Sequence, residues 1–222
     1  MDATVVKVGG SLALHPKKLK HLCTKLSEVS KEHKLVLVPG GGEFADVVRK
    51  VDRRFKLSAE ASHRMAILGM DQYGFLLSDL TKDACIVSQL ANVQKALDMN
   101  TLPIFLPSNH MLNDDPLENS WDVTSDSIAA YIASQLHIRR VILITDIDGV
   151  YSCDPKKHSD AKLVKKISVK QLEIVQKRTC VDKFLPSLLS QSEIQCFVVN
   201  GFYPERIEAI LKGKKTICTL IN

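Results

Sequence analysis

Several things are missing from this sequence, and each absence removes a class of function. No apolar run approaches the roughly 20 residues that a membrane-spanning helix needs, and no leader-like segment precedes the first strand-like run. A cytoplasmic location is therefore expected. The six cysteines are scattered at Cys23, Cys85, Cys153, Cys180, Cys196 and Cys218, with no C-x-x-C pair and no histidine at zinc-ligand spacing. They read as reduced, mostly core residues, and no metal site built from side chains is expected. Lys and Arg never gather into a basic tract interleaved with aromatics, and the formal net charge is only +5. Nucleic acid is thus not indicated as a partner. There is no internal repeat, no low-complexity segment and no G-x-x-x-x-G-K-S/T phosphate loop.

What is present is an alternation of strand-length apolar runs with amphipathic stretches. Strands are expected at Thr4 to Val8, Lys34 to Val38, Ala84 to Val87, Pro103 to Leu106, Val141 to Thr145, Cys196 to Val199 and Thr216 to Ile221. Helices are expected from Pro16 to His33, Glu43 to Phe55, Ser58 to Leu80, Ser125 to Leu136, Val169 to Gln176, Phe184 to Gln191 and onward from Pro204. No helix reads as apolar on both faces. Strands alternating with helices predict an α/β fold, with a largely parallel sheet as its central layer. The polar stretch Asn109 to Ser120 is the nearest thing to a boundary, separating an acceptor-binding half (1–120) from a nucleotide-binding half (121–222) of one domain.

Two strands run straight into glycine turns. The first ends in Lys7-Val8-Gly9-Gly10-Ser11 and the second in Pro39-Gly40-Gly41-Gly42. Gly40, Gly42 and Ala45 satisfy G-x-G-x-x-A, but a dinucleotide site needs a second strand ending in an acid about 20 residues on. Glu60 lies near that distance inside helical sequence, so the nicotinamide reading fails. Backbone N–H groups of Gly9, Gly10 and Gly40 to Gly42 suit anionic oxygens, since no side chain obstructs the approach, and Lys7 adds a point charge.

The segments K-V-G-G-S, P-G-G-G and T-D-I-D-G-V-Y-S-C-D-P, in this order along nearly the whole chain, resemble the amino acid kinase superfamily. That resemblance implies a three-layer α/β/α sandwich that phosphorylates a carboxylate, carbamate or phosphate with ATP, magnesium travelling on the nucleotide phosphates. P-G-G-G-E-F-A-D-V-V-R-K, S-W-D-V-T-S-D-S-I-A-A-Y, V-D-K-F-L-P and C-F-V-V-N-G-F-Y-P-E-R resemble the branch serving methanofuran synthesis, whose acceptor is an aminomethyl-furan phosphate. The uridylate kinases are the alternative. A non-catalytic nucleotide-binding regulatory or storage protein of the same fold is the alternative of another class.

The resemblance assigns roles. Lys7 and Lys183 would flank the transferred phosphoryl group, and Asp126 would orient them. Lys7, Gly9, Gly10, Ser11, Thr145, Asp146, Asp148, Gly149, Val150, Tyr151 and Asp154 would hold ATP, while Gly40, Gly41, Gly42, Glu43, Asp46 and Arg49 would hold the acceptor. Isopentenyl phosphate kinases carry a histidine just after the glycine triplet, whereas Glu43 stands here. His63 lies too far along to replace it by spacing and reads as a surface or core residue. Glu43 and Asp46 suit a substrate ammonium, and Arg49, Arg53 and Arg54 suit its phosphate. Self-association is expected through the helices that cover the sheet.

Overall fold

The computed structural model describes residues 3–155, 157–175 and 180–222. The chain opens with β1 (Thr4–Val8), a 3-10 helix (Gly10–Leu14), α1 (Pro16–Val29), β2 (Leu35–Pro39), α2 (Gly42–Phe55) and α3 (Ala59–Leu80). Next come β3 (Ala84–Val87), α4 (Val93–Asp98), β4 (Leu102–Phe105), α5 (Ser108–Asp114) and α6 (Ser125–Gln135). The remainder is β5 (Arg140–Thr145), β6 (Lys166–Ile167), α7 (Val169–Val175), α8 (Leu185–Ser190), β7 (Gln195–Asn200), α9 (Glu205–Leu211) and β8 (Thr219–Ile221).

The strands form a single sheet in the order β3-β4-β2-β1-β5-β7-β8-β6. All pairs are parallel except β7 with β8. Central strands are buried on both faces, so they read as continuous Val, Ile and Leu rather than as alternation. Val36 and Val38 of β2, with Val141 and Leu143 of β5, point into one core with α6 and α8. Leu35, Leu37, Ile142 and Ile144 point into the other, with α1 and α9. This is the expected α/β/α sandwich.

Connectivity places the site. The chain leaves β1 towards β2 on one side and returns much later to β5 on the other, so the strand order reverses at β1. In an open parallel sheet, ligands settle beyond the carboxyl ends of the strands at such a reversal. Both glycine turns lie there.

Differences from the sequence reading have local causes. The expected boundary at Asn109 to Ser120 begins inside α5, which is tied to α3 because the Asp71 carboxylate accepts from the Ser108 N–H at 3.2 Å and from its hydroxyl. The short elements α4 and β6 carry too few residues to show a period. Helix α1 stops at Val29, because Ser30 to His33 close a turn onto carbonyls of its last turn. The expected end of α7 at Gln176 lies outside the described residues. Helix α3 does have two apolar faces: it buries Ile67, Met70, Tyr73 and Leu77 while exposing Met65, Leu68, Phe75 and Leu76. The exposed set is interleaved in the sequence with the buried set, so neither face stands out as a separate stripe.

Candidate active site

The two glycine turns meet face to face. A Cβ on Gly10 would lie 2.1 Å from the Gly42 nitrogen and 2.2 Å from its Cα, and one on Gly40 would lie 2.7 Å from the Gly10 nitrogen. The missing side chains therefore allow the loops to pack on each other before any ligand arrives. Two of the amides expected to cradle anions are already used: the Gly9 N–H donates to the Ile144 carbonyl at 2.8 Å, and the Gly40 N–H to Val8 at 2.9 Å. These bonds simply prolong the parallel ladder. The open amides are those at helix starts, Gly10 and Ser11 on the 3-10 helix and Gly42 and Glu43 on α2, where first-turn N–H groups have no intrahelical acceptor. From behind, the Tyr73 hydroxyl donates to the Gly9 carbonyl at 3.2 Å. Burial pushes that phenol well up, which keeps it a donor.

Between the loops stands Lys7, the single charged residue of a strand buried throughout. Its ammonium lies 2.7 Å from the Asp126 carboxylate, the two side chains being 11% and 8% exposed. A lone ammonium in that position would cost several kcal/mol in desolvation. Asp126 lies in the first turn of α6, where the helix dipole favours a carboxylate. Its second oxygen accepts the Asp182 N–H at 3.3 Å.

Asp182, which the sequence reading passed over in favour of its neighbour, is the organiser of this corner. Its carboxylate accepts from the N–H of Thr124 and of Ser127, both at 2.9 Å, and from the Thr124 hydroxyl at 2.8 Å and the Ser127 hydroxyl. It also accepts the Leu185 N–H at 2.9 Å. One side chain thus caps both α6 and α8. Burial and the nearby Asp126 push its pKa up, against the pull of the Ser127 and Thr124 donors. Asp in V-D-K followed three residues later by a helix was the available signal. Lys183, by contrast, is not among the residues lining the cleft. Its ammonium pairs with Asp122 at 2.7 Å, the two side chains being 57% and 56% exposed.

Beyond β5 the polar loop is braced rather than open. The Asp148 carboxylate accepts from Arg206 at 2.6 Å and Asn200 at 3.0 Å, and the Arg206 guanidinium also lies 4.1 Å over the Tyr203 ring. Gly149 has φ +152°, and a Cβ there would lie 2.4 Å from the Thr219 hydroxyl oxygen. That hydroxyl accepts the Val150 N–H at 2.9 Å and donates to the Val164 carbonyl. Tyr151 bridges to Leu163, and burial together with Asp148 pushes its phenol up. The Asp154 carbonyl accepts the N–H groups of Lys157 and His158. Thr145 ends β5 on the cleft, its hydroxyl donating to Asp146 at 3.3 Å. The Cys180 thiol donates to the Gly149 carbonyl at 3.4 Å, and burial with the Asp126 charge pushes it up to about 12. It is a structural thiol.

On the side of α2 and α3 a cleft of about 310 Å³ opens from Lys7 and the glycine turns. Its polar wall carries Glu43, Asp46 and Arg49; its apolar wall carries Ala66, Ile67, Met70, Trp121 and Val123. Arg49 binds Asp46 at 2.7 Å and lies 4.8 Å over the Trp121 ring, whose N–H donates to Asp52 at 2.8 Å. Asp46 is therefore neutralised by Arg49, whereas Glu43 has no cation partner among the described residues. Arg53 and Arg54 stand in the last turn of α2, remote from the glycine end. His63, expected on the surface or in the core, lies on the wall of this cleft.

The fold thus brings Lys7, Gly10, Ser11, Gly41, Gly42, Glu43, Asp46, Arg49 and Thr145 to one cleft, with Asp126 behind Lys7, while Asp148, Gly149, Val150, Tyr151 and Lys183 are not among its lining residues. Although no metal ligand set was expected, Cys153, His158 and Asp160 come together, with donor atoms within 4.8 Å of one another. They sit in the loop after β5, with Cys153 partly buried and His158 and Asp160 exposed.

Comparison with known proteins bears on this arrangement. The model of the amino acid kinase family matches residues 2–200. The [5-(aminomethyl)furan-3-yl]methyl phosphate kinase of Methanocaldococcus jannaschii is 38% identical over 219 residues, covering 98% of this chain and 96% of that protein. A uridylate kinase of Pyrococcus abyssi is 25% identical over 225 residues, 95% of each chain. The solved structure of the UMP kinase from Bacillus anthracis has a TM-score of 0.81 at 19% identity, covering 100% of this chain and 96% of that one, a likeness of fold.

Proposed function

The chain belongs to the amino acid kinase family, and from that premise we propose that it transfers a phosphoryl group from ATP to a phosphate monoester, giving a diphosphate. The acceptor we assign is [5-(aminomethyl)furan-3-yl]methyl phosphate, the monoester on the methanofuran route. The observation that carries this is 38% identity to a kinase of that acceptor along 98% of the chain. Glu43 agrees with it, because a carboxylate without a cation partner among the described residues suits an ammonium, which UMP lacks.

In this reading an oxygen of the acceptor phosphate forms a bond to the γ-phosphorus of ATP, and the bond from that phosphorus to the ADP oxygen breaks. The charge spread over the moving group calls for positioned cations and amides rather than a base, since the acceptor is already ionised. Lys7 and the amides of Gly10, Ser11, Gly42 and Glu43 surround the point where the loops meet. Asp126 pairs with Lys7 through one oxygen and accepts the Asp182 N–H through the other, so it positions Lys7. Magnesium, when bound, would be carried on the nucleotide phosphates and neutralise part of their charge. Thr145, Asp146 and the braced loop Asp148 to Asp154 would border the nucleotide, making residues 121–222 the nucleotide half and 1–120 the acceptor half. Lys183 would join once it leaves Asp122, a change that costs little because so exposed an ion pair contributes only about 0–1 kcal/mol.

We further propose a homo-oligomer. Phe44, Val47 and Phe55 of α2 and Met65, Leu68, Phe75 and Leu76 of α3 are exposed apolar side chains on adjoining helices. A second copy would cover such a surface. Among the described residues no helix is long and apolar enough to cross a membrane, which suits the cytoplasmic location we assign. Incubation with ATP and a panel of phosphate monoesters, read by mass, tests the assignment. Diphosphate should form from the furan phosphate and not from UMP, and Lys7→Ala should lower that turnover by about 100- to 1,000-fold. Efficient conversion of UMP with none of the furan phosphate would transfer the chain to the uridylate kinases.

A further inference from the structure

His63 occupies a place that nothing above explains. It sits near the start of α3 with 5% of its surface exposed, yet it faces the cleft, in a wall otherwise made of Ala66, Ile67, Met70 and Trp121. Burial lowers the proton affinity of the ring below the usual histidine range, against the pull of the Ser120 carbonyl, which favours the ring N–H on that side, and of Asp115. The imidazole is neutral near pH 7. A neutral imidazole that spends its one N–H on a carbonyl has only a lone pair left to offer. A carbonyl aimed at that nitrogen gains nothing, while a substrate N–H aimed at it gains a partner.

The other charged groups of the lining are accounted for: Lys7 by Asp126, and Asp46 by Arg49. Among the described residues Glu43 is the charged lining group without an ion-pair partner, and His63 brings a ring acceptor to the apolar wall. We infer that His63 determines acceptor specificity, its second ring nitrogen accepting a hydrogen bond from the acceptor's ammonium while the apolar wall takes the ring that carries it. This rests on the reading that the acceptor is aminated, and it adds a selection device that Glu43 alone does not supply. A carboxylate attracts any cation, whereas an imidazole lone pair requires an N–H aimed at it.

The test compares wild type, His63→Leu and His63→Gln on two acceptors, the aminomethyl-furan phosphate and its analogue with methyl in place of aminomethyl. For the aminated acceptor His63→Leu should raise KM by roughly 10- to 100-fold, the range of a hydrogen bond to a charged group, with kcat changed less than about threefold. For the analogue KM should stay within about twofold. His63→Gln, whose amide oxygen also accepts, should recover most of the loss. An equal rise in KM for both acceptors, or none for either, overturns the inference and leaves His63 a packing residue, with the kinase assignment intact. A wild-type enzyme inactive on both furan phosphates removes the assignment and the inference together. Should His63→Leu fail to fold, ring-nitrogen NMR of the wild type decides: the second nitrogen of His63 should shift on adding the aminated acceptor and not the analogue, and equal shifts refute the bond.

Discussion

Replacing Gly10 by alanine separates two explanations for the glycines, freedom of the backbone and contact between the loops. Gly10 is not among the residues with positive φ, so an alanine there suffers no backbone strain. Its methyl would instead fall 2.1 Å from the Gly42 nitrogen, against 3.4–4 Å for ordinary contact, so the loops must part by roughly 1.3 Å. Both colliding atoms are main chain and neither can rotate away. Catalysis that depends on positioning loses on the order of 10²-fold per ångström of misplacement, equivalent to about 2.7 kcal/mol in the barrier. Overpacking also costs stability, about 1–3 kcal/mol. Gly10→Ala should therefore fold, melt somewhat lower and turn over about 100-fold more slowly, with the loss mainly in kcat. Gly213→Ala is the matched control: it has φ +66° and nothing within 4 Å, so it should cost about 1–2 kcal/mol of stability and leave turnover unchanged. Steady-state kinetics beside thermal unfolding measures both. A folded Gly10→Ala enzyme with wild-type kcat would refute the claim that loop contact sets the geometry.

Asp182→Ala removes the acceptor of the Thr124, Ser127 and Leu185 N–H groups at once and should lower stability by about 2–4 kcal/mol; a urea midpoint unchanged from wild type would show that water replaces the caps. The paired change Leu68→Glu and Phe75→Glu should convert an oligomer to a 24.7 kDa chain by light scattering with unchanged circular dichroism, whereas a wild-type protein already of that mass excludes the oligomer. Glu208, bonded to Lys212 and Lys25 at 2.6 Å each, has its carboxyl lowered to about 2. A depressed folded value means its contribution is complete above the unfolded value of 4.5 and is lost as pH falls towards 2. The stability difference between wild type and Glu208→Gln should therefore be steady above pH 5 and shrink below it; a difference that does not change between pH 5 and 2 would count against the pairing.

Strands and long helices were legible because their signal is local. β1 lies where its apolar run puts it, since a strand buried on both faces is largely apolar, and the half-exposed edge strand β3 lies at the short apolar run that marks it. The start of α3 was legible from Ser58, whose hydroxyl accepts the Ala61 N–H at 3.1 Å. The glycine turns after β1 and β2 were legible as places of close approach. What they approach was not, because the first contact of each is the other turn, 30 residues away in the chain.

The chain's order of residues alone determined the class of fold, the presence of two glycine turns after strands, one of them beside a lysine, and the family, because periodicity, turn chemistry and long matching segments are properties of neighbours in sequence. Only the tertiary structure decided which of those groups share a cleft. It spent the Gly9 and Gly40 amides on the sheet, matched Asp126 to Lys7, gave Asp182 two helices to cap, placed Lys183 beside Asp122, and turned His63 from a helix face into a cleft wall. Apart from the Asp182 cap on α8, which reaches Leu185 three positions on, each of those outcomes is set by a bond or contact to a residue more than 25 positions distant, where the energy of desolvation is decided and where no local pattern carries information.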